Sequence, residues 1–154
     1  MSARSKARKR ALDVLFEADA RGVAPLEVLG QTQERRHDEG QAAMNPYVAV
    51  LVGGVAAHLA QIDELLSSYS MGWSVERMPA VDRSILRLGA YEVLWGSDAP
   101  EAVAISEAVA LAAELSTDDS PAFVNGLLGR LLELKPRIVP DRAAGPHDAD
   151  PAAS

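Results

Sequence analysis

The sequence predicts an all-α protein, a compact bundle of about six to seven helices followed by a disordered C-terminal tail. Five segments of the 154-residue chain carry apolar residues at helical spacing, and none shows sustained strand alternation. Aromatic residues make up only 5% of the chain while Ala, Leu and Val dominate, which favours helices over a β-sandwich. The length fits one domain, placed at residues 1–135, which can bury a core without disulfides or a structural metal.

The first helix is predicted over about residues 3–21. Its apolar stripe includes Leu12, and Gly22 is a natural stop signal. Arg4, Arg8 and Leu12 lie four residues apart and therefore share one line along the helix. The basic start of the chain is thus expected to form the first turns of a helix whose root is fixed by core packing.

Two stretches lack the apolar periodicity of a packed helix. Residues 30–45 are polar and are predicted to form an exposed loop after a short element at Pro25 to Leu29. Residues 136–154 contain four of the nine prolines and almost no large apolar side chains. This composition predicts a disordered tail.

The next helix begins with a clear signal, because Asn45 is a good cap and Pro46 fits the first helical position. Apolar residues then recur at steps of three and four as far as Tyr69. Gly53 and Gly54 lower the helix propensity in its interior. Their expected purpose is the close approach of a neighbouring helix.

Three more helical segments complete the bundle. The segment from Pro79 to about Trp95 is apolar on most sides and should be the central buried helix. Ala102 to Leu115 follows with its own apolar stripe. The last helix has Ser120 as predicted cap and Pro121 at its first position.

Charge is distributed unevenly along the chain. The whole chain has a net charge of −7, but residues 1–10 carry five basic side chains and no acid, so the remainder carries −12. The five cations are Arg4, Lys6, Arg8, Lys9 and Arg10. They form either a frayed, solvated terminus or an arm that contacts phosphates, where each neutralised phosphate releases a counterion.

No catalytic or metal-binding constellation can be assembled from the sequence. Cysteine is absent, and no phosphate-binding glycine motif, H-E-x-x-H or G-x-S-x-G occurs. The three histidines fall in separate segments, so we expect no metal, no cofactor and no enzymatic activity. Asp82 and Arg83 in the central helix are expected to form a partly buried ion-pair network or to contact a partner.

No apolar run reaches the length of a membrane span, and acids interrupt the segment after the basic start, which excludes a signal peptide. We therefore expect a soluble, cytoplasmic protein.

Three blocks, in this order, resemble the bacterial transcription antitermination factor NusB family: ARKRALDVLFEAD, AVDRSILRLGAYEVL and APEAVAISEAVALAAELSTDDSPAFVNGLLGRL. The resemblance spans about residues 3–135. It implies an all-helical RNA-binding adaptor that binds the boxA RNA of ribosomal RNA operons together with the ribosomal protein NusE. Such an adaptor joins an antitermination complex and promotes read-through by RNA polymerase.

The resemblance also implies which residues act. The expected RNA contacts are Arg4, Lys6, Arg8, Lys9, Arg10, Asp119, Ser120 and Phe123. The expected partner surface includes Phe16 and Asp82. Two alternatives stay open: a protein-binding or homodimerising helical scaffold, and a relative of the N-terminal domain of RNA cytosine methyltransferases.

Overall fold

The computed structural model describes residues 2–140, and within that range the chain forms α-helices and one short 3₁₀ helix, with no strand. The predicted all-α class and the number of helices are confirmed. The helices are α1 (Ala3–Arg21), α2 (Pro25–Asp38), α3 (Pro46–Tyr69), α4 (Ala80–Leu94), α5 (Glu101–Leu115) and α6 (Ser120–Ile138), and the 3₁₀ helix is Val75–Arg77.

Helix α4 is the centre of the bundle, as its apolar pattern predicts. It packs against α1, α3, α5 and α6, and the side chains of Ile85, Leu86 and Leu94 are fully buried. Helix α1 runs antiparallel to it, since Arg8 near the start of α1 contacts the end of α4. Asp19 near the end of α1 contacts the start of α4.

Helix α3 begins as predicted, because the side chain of Asn45 accepts a hydrogen bond of 2.8 Å from the Tyr47 backbone N–H. Only one of its two adjacent glycines permits a close approach. A Cβ added at Gly54 would overlap the ring of Tyr91 on α4, whereas a Cβ at Gly53 would meet nothing within 4 Å.

Helix α3 is also long and apolar enough to cross a membrane by length and composition alone, with 24 residues that include an 18-residue stretch of mean hydropathy 1.4. In the structure it is a core helix. It packs against α1, α2 and α4, and Leu51, Val55, Ile62 and Leu66 are fully buried within the bundle.

The prediction of a loop at residues 30–45 is wrong for its first half, because α2 continues to Asp38. Only Val28 and Leu29 of this helix are buried, so its second half carries no apolar stripe that a sequence pattern could reveal. The hydroxyl of Thr32 donates to the Val28 carbonyl at 2.8 Å, so this polar side chain is hydrogen-bonded to the backbone of its own helix.

The predicted tail boundary is also corrected, because Pro136 lies inside α6, which ends at Ile138. Proline removes one helical hydrogen bond, and two contacts hold the turn nonetheless. Lys135 pairs with Glu101 at 2.8 Å, and Ile138 packs against the core. The rest of the predicted tail, residues 141–154, lies outside the described residues.

Candidate nucleic-acid interface

Arg8 differs from the other basic residues of α1 because it is buried, with 3% of its surface exposed. Its guanidinium donates to both carboxylate oxygens of Glu92 at 2.8 and 2.9 Å, and to Glu107 at 3.0 Å. Tyr47 donates its hydroxyl to the same Glu92 carboxylate at 2.6 Å. These donors are used inside the core, so Arg8 does not present them to a phosphate in this structure, and its expected RNA contact stays a prediction.

The buried network shifts the pKa of two of its members. Burial alone would lower the pKa of Arg8, but the hydrogen bonds and charge of Glu92 outweigh this and raise it. Burial and the neighbouring Glu92 carboxylate together raise the pKa of the Tyr47 hydroxyl. Arg8 and Tyr47 therefore both keep their protons, and the network ties α1, α3 and α4 together.

The remaining four cations lie on the surface of the first turns of α1, where Arg4, Lys6 and Arg10 are exposed and Lys9 is half-buried. Lys6 and Arg10 make no ion pair with any described residue. Lys9 pairs with Glu114 of α5, and the hydrogen bond to this carboxylate raises the pKa of Lys9. Arg4 lies over the Tyr47 ring, 4.8 Å from its centroid.

Ser120 and Asp82 form a buried tie between α6 and α4. The Ser120 hydroxyl donates to Asp82 at 2.9 Å, and Ser116 donates to the other oxygen of the same carboxylate. Both residues are at most 3% exposed and bound to each other, and the expected RNA contact by Ser120 and partner contact by Asp82 stay predictions. Asp82 does not pair with Arg83, since Arg83 bonds Asp19 at 2.6 Å.

The start of α6 departs from its predicted capping as well. The cap position is held by Asp119, whose side chain makes no capping hydrogen bond, and Ser120 is already helical. Because the Ser120 hydroxyl is bound to Asp82, it is unavailable for the cap. Asp119 remains exposed beside the α6 N-terminus.

Phe123 lies one turn into α6, at the edge of an open apolar cleft that we call the aromatic cleft. Trp73 forms its other aromatic wall, 45% exposed, with ring centroids 5.5 Å apart and ring planes at 67°. The cleft measures about 470 Å³ and is also lined by Ser70, Met71, Pro79, Asp82, Thr117, Asp119 and Ser120. The sequence reasoning missed Trp73, although a large aromatic residue in a Ser- and Gly-containing loop was its visible signal.

The exposed cations and the aromatic cleft lie towards opposite ends of α4. Arg8 contacts Glu92 near one end and Ser120 contacts Asp82 near the other, and a helix of 15 residues is about 22 Å long. Lys9 shortens the distance between the surface cations and the aromatic cleft. Its ion-pair partner Glu114 lies just before the segment of the chain that lines the cleft.

Two further expectations concern the rest of the surface. Phe16, expected at a partner surface, is 40% exposed on α1. Among the described residues no group of three or more His, Asp or Glu side chains could hold a metal ion. His58 instead stacks on the ring of Trp95, with centroids 3.9 Å apart.

Fold and site together define a helical bundle that presents cations and the aromatic cleft on its surface, features typical of a nucleic-acid-binding helical protein. The model of the NusB family matches residues 5–133, and the chain belongs to this family. The family members described next are named as transcription antitermination proteins.

The relatives match along nearly their full length. The transcription antitermination protein NusB of Beutenbergia cavernae is 58% identical over 150 residues, which covers 94% of this chain and 98% of that protein. The NusB protein of a Nocardioides species is 58% identical over 138 residues, covering 90% and 99%.

Solved structures share the fold. NusB of T. maritima superposes with a TM-score of 0.74 at 31% identity, covering 86% of this chain and 92% of that one. A crystal structure of antitermination factors NusB and NusE in complex with double-stranded RNA gives a TM-score of 0.73 at 26% identity, covering 86% and 98%.

Proposed function

We propose that this chain is an RNA-binding transcription antitermination adaptor. It binds boxA RNA of ribosomal RNA operons together with a NusE-type ribosomal protein and promotes read-through by RNA polymerase in the cytoplasm. The observation that carries the proposal is the exposed cationic end of α1 on an otherwise acidic protein whose relatives are antitermination factors. The NusB and NusE complex with RNA supports the choice of partners.

The four surface cations of α1 supply the phosphate contacts in this proposal: Arg4, Lys6, Lys9 and Arg10. Arg8 does not contribute a phosphate contact, and its buried pairing with Glu92 joins α1 to α4. Lys9 exchanges Glu114 for a phosphate at little net cost, since exposed ion pairs are weakly stabilising. RNA therefore meets charges that the fold has already positioned.

Two exposed side chains complete the proposed surfaces. Asp119 stands beside the α6 N-terminus, where it repels phosphate and limits affinity. Phe16, on the exposed side of α1, belongs to the surface that binds the partner protein. Homodimerisation through the same surface is the competing proposal, and a dimer that dissociates when the NusE-type protein is added would reconcile the two.

A salt titration of boxA-type single-stranded RNA binding tests the proposal. Each phosphate contact contributes a slope of about −0.7 in log affinity against log salt, so four cations allow at most about −2.8. The double variant Lys6→Ala/Arg10→Ala should flatten the slope by about 1.4. The control Arg21→Ala/Arg137→Ala removes two exposed cations elsewhere and should leave the slope near the wild-type value. An unchanged slope in the first variant contradicts the proposal.

The same titration is then repeated with the purified NusE-type protein. We expect tighter RNA binding with the partner present, because the second protein extends the surface that contacts RNA. Sedimentation of the chain alone and of the mixture gives the oligomeric state. RNA affinity that is the same with and without the partner would argue against an adaptor.

A further inference from the structure

We infer that the aromatic cleft binds a nucleobase of the RNA, with Trp73 as a stacking platform beside Phe123. The inference rests on the proposed function and deepens it, since it adds a base-binding residue that the family motifs do not single out. The juxtaposition that carries it is a half-exposed tryptophan and a phenylalanine at the mouth of one apolar cleft.

The ring geometry leaves aromatic surface available. The planes of Trp73 and Phe123 meet at 67°, so the edge of one ring faces the other. Unlike a parallel stack, this arrangement does not bury two ring faces against each other. Any of the four bases can use such a surface, because every base has a π face.

The turn before Trp73 adds a second exposed apolar side chain. Met71 is 97% exposed and has a φ of 58°, in the left-handed region that non-glycine residues rarely adopt. Gly72 follows with a φ of 98°. Backbone in such a conformation concentrates at ligand-contacting segments, and a thioether packs well against flat aromatic surfaces. The turn thus holds Met71 at the mouth of the cleft.

Charge around the cleft favours the base over the phosphate as the part that enters. The lining is mainly apolar, and Asp119 at its rim repels phosphate. The Asp82 carboxylate in the cleft wall already accepts two hydroxyl donors. An adjoining apolar pocket of about 320 Å³ shares Met71 and Phe123 and is bordered by Arg130, which offers a cation beyond the acidic rim. A nucleotide is therefore accommodated base first.

Tryptophan fluorescence tests the inference directly, because the chain has only two tryptophans, Trp73 and Trp95. In the variant Trp95→Phe, all tryptophan emission comes from Trp73. Titration with boxA-type single-stranded RNA should quench this emission as a base stacks on the indole. In Trp73→Phe the emission comes from Trp95, which stacks on His58 outside the cleft, and the quenching should be lost.

Affinity gives an independent measurement. Stacking on an aromatic ring is worth about 1–3 kcal/mol per base, so Trp73→Ala should weaken RNA binding about 5- to 150-fold. Trp73→Phe keeps an aromatic face and should bind nearly as tightly as the wild type. Because stacking releases no counterions, the salt slope should stay unchanged in both variants. Circular dichroism and thermal unfolding establish that each variant is folded.

The outcomes separate this inference from the proposed function. Wild-type affinity in Trp73→Ala, with a flattened salt slope in Lys6→Ala/Arg10→Ala, overturns the base-binding cleft and leaves the RNA-binding function intact. Unchanged binding in both variants overturns both. Quenching of Trp73 by the NusE-type protein but not by RNA assigns the cleft to the protein partner and also overturns the inference.

Discussion

Neighbouring residues of α1 should respond in opposite ways to the same substitution. Arg8→Ala should destabilise the fold and leave the salt slope of RNA binding unchanged. Lys9→Ala should hardly affect stability and should flatten that slope by about 0.7. The reason is burial, since the Arg8 pair with Glu92 is enclosed whereas the Lys9 pair with Glu114 is largely exposed.

The magnitude for Arg8 follows from what its removal leaves behind. Glu92 is 3% exposed and would keep only the Tyr47 hydroxyl as a partner, at 2.6 Å. Breaking a buried ion pair by removing one partner costs about 3–5 kcal/mol, because an uncompensated charge stays in the core. The double variant Arg8→Met/Glu92→Gln removes both charges, and Tyr47 can still donate to the amide oxygen. It should therefore recover much of the loss.

Urea unfolding followed by circular dichroism measures these differences. With a slope of about 2 kcal/mol per molar urea, Arg8→Ala should lower the midpoint by roughly 1.5–2.5 M at an unchanged slope. Lys9→Ala is the matched control on the next residue. A midpoint in Arg8→Ala within a few tenths of a molar of the wild type, together with a flattened salt slope, would refute the buried role and return Arg8 to the RNA surface.

Four other substitutions test the fold and the site. Asp119→Asn should raise RNA affinity in a filter-binding or anisotropy assay, and unchanged affinity would show that this carboxylate does not repel the RNA. Gly54→Ala should lower the free energy of unfolding in urea by about 1–3 kcal/mol, because its methyl group would overlap the Tyr91 ring. Gly53→Ala should raise it by up to about 1 kcal/mol through higher helix propensity. Equal effects of the two variants would contradict the close packing at Gly54. Burial alone would raise the pKa of Asp19, but hydrogen bonds from two α4 arginines outweigh it and lower the pKa. This carboxylate therefore contributes stability above its unfolded pKa of about 4 that is lost as the pH falls through the lower folded value. Asp19→Asn should be less stable at neutral pH and lose less on acidification, and parallel stability curves would contradict this.

The fold was predictable wherever a helix buries an apolar stripe. Helix α4 shows this most clearly, because ten of its residues are buried and its pattern is apolar on most sides. Helix α2 was only partly predictable, since it buries two residues and continues as a polar helix to Asp38. Its second half is polar throughout and includes Gln, Glu and Arg, which are good helix formers but leave no periodic signal.

The site was less predictable than the fold, because contact partners lie far apart in sequence. The five cations in the first ten residues look alike in the sequence, yet Arg8 pairs with Glu92, which lies 84 positions further along the chain. One local signal was present, since Arg8 shares a line along α1 with the buried Leu12. For Ser120, the sequence pattern predicted a helix cap, and only the distant Asp82 shows that its hydroxyl is bound elsewhere.

The charge balance explains why an acidic protein would combine phosphate contacts by α1 with base stacking in the aromatic cleft. Once Arg8 is neutralised within the core, four cations remain on the surface at the start of α1, on a chain whose net charge is −7. At low salt the acids of the body also act on the RNA over longer distances, whereas at 0.15 M charges beyond about 8 Å are largely screened. Salt therefore weakens the phosphate contacts and the repulsion together, while stacking in the aromatic cleft is independent of both. If the cleft binds a base, Trp73→Ala should lower RNA affinity by the same factor at low and at physiological salt. The share of the total binding energy that comes from stacking therefore grows as salt rises.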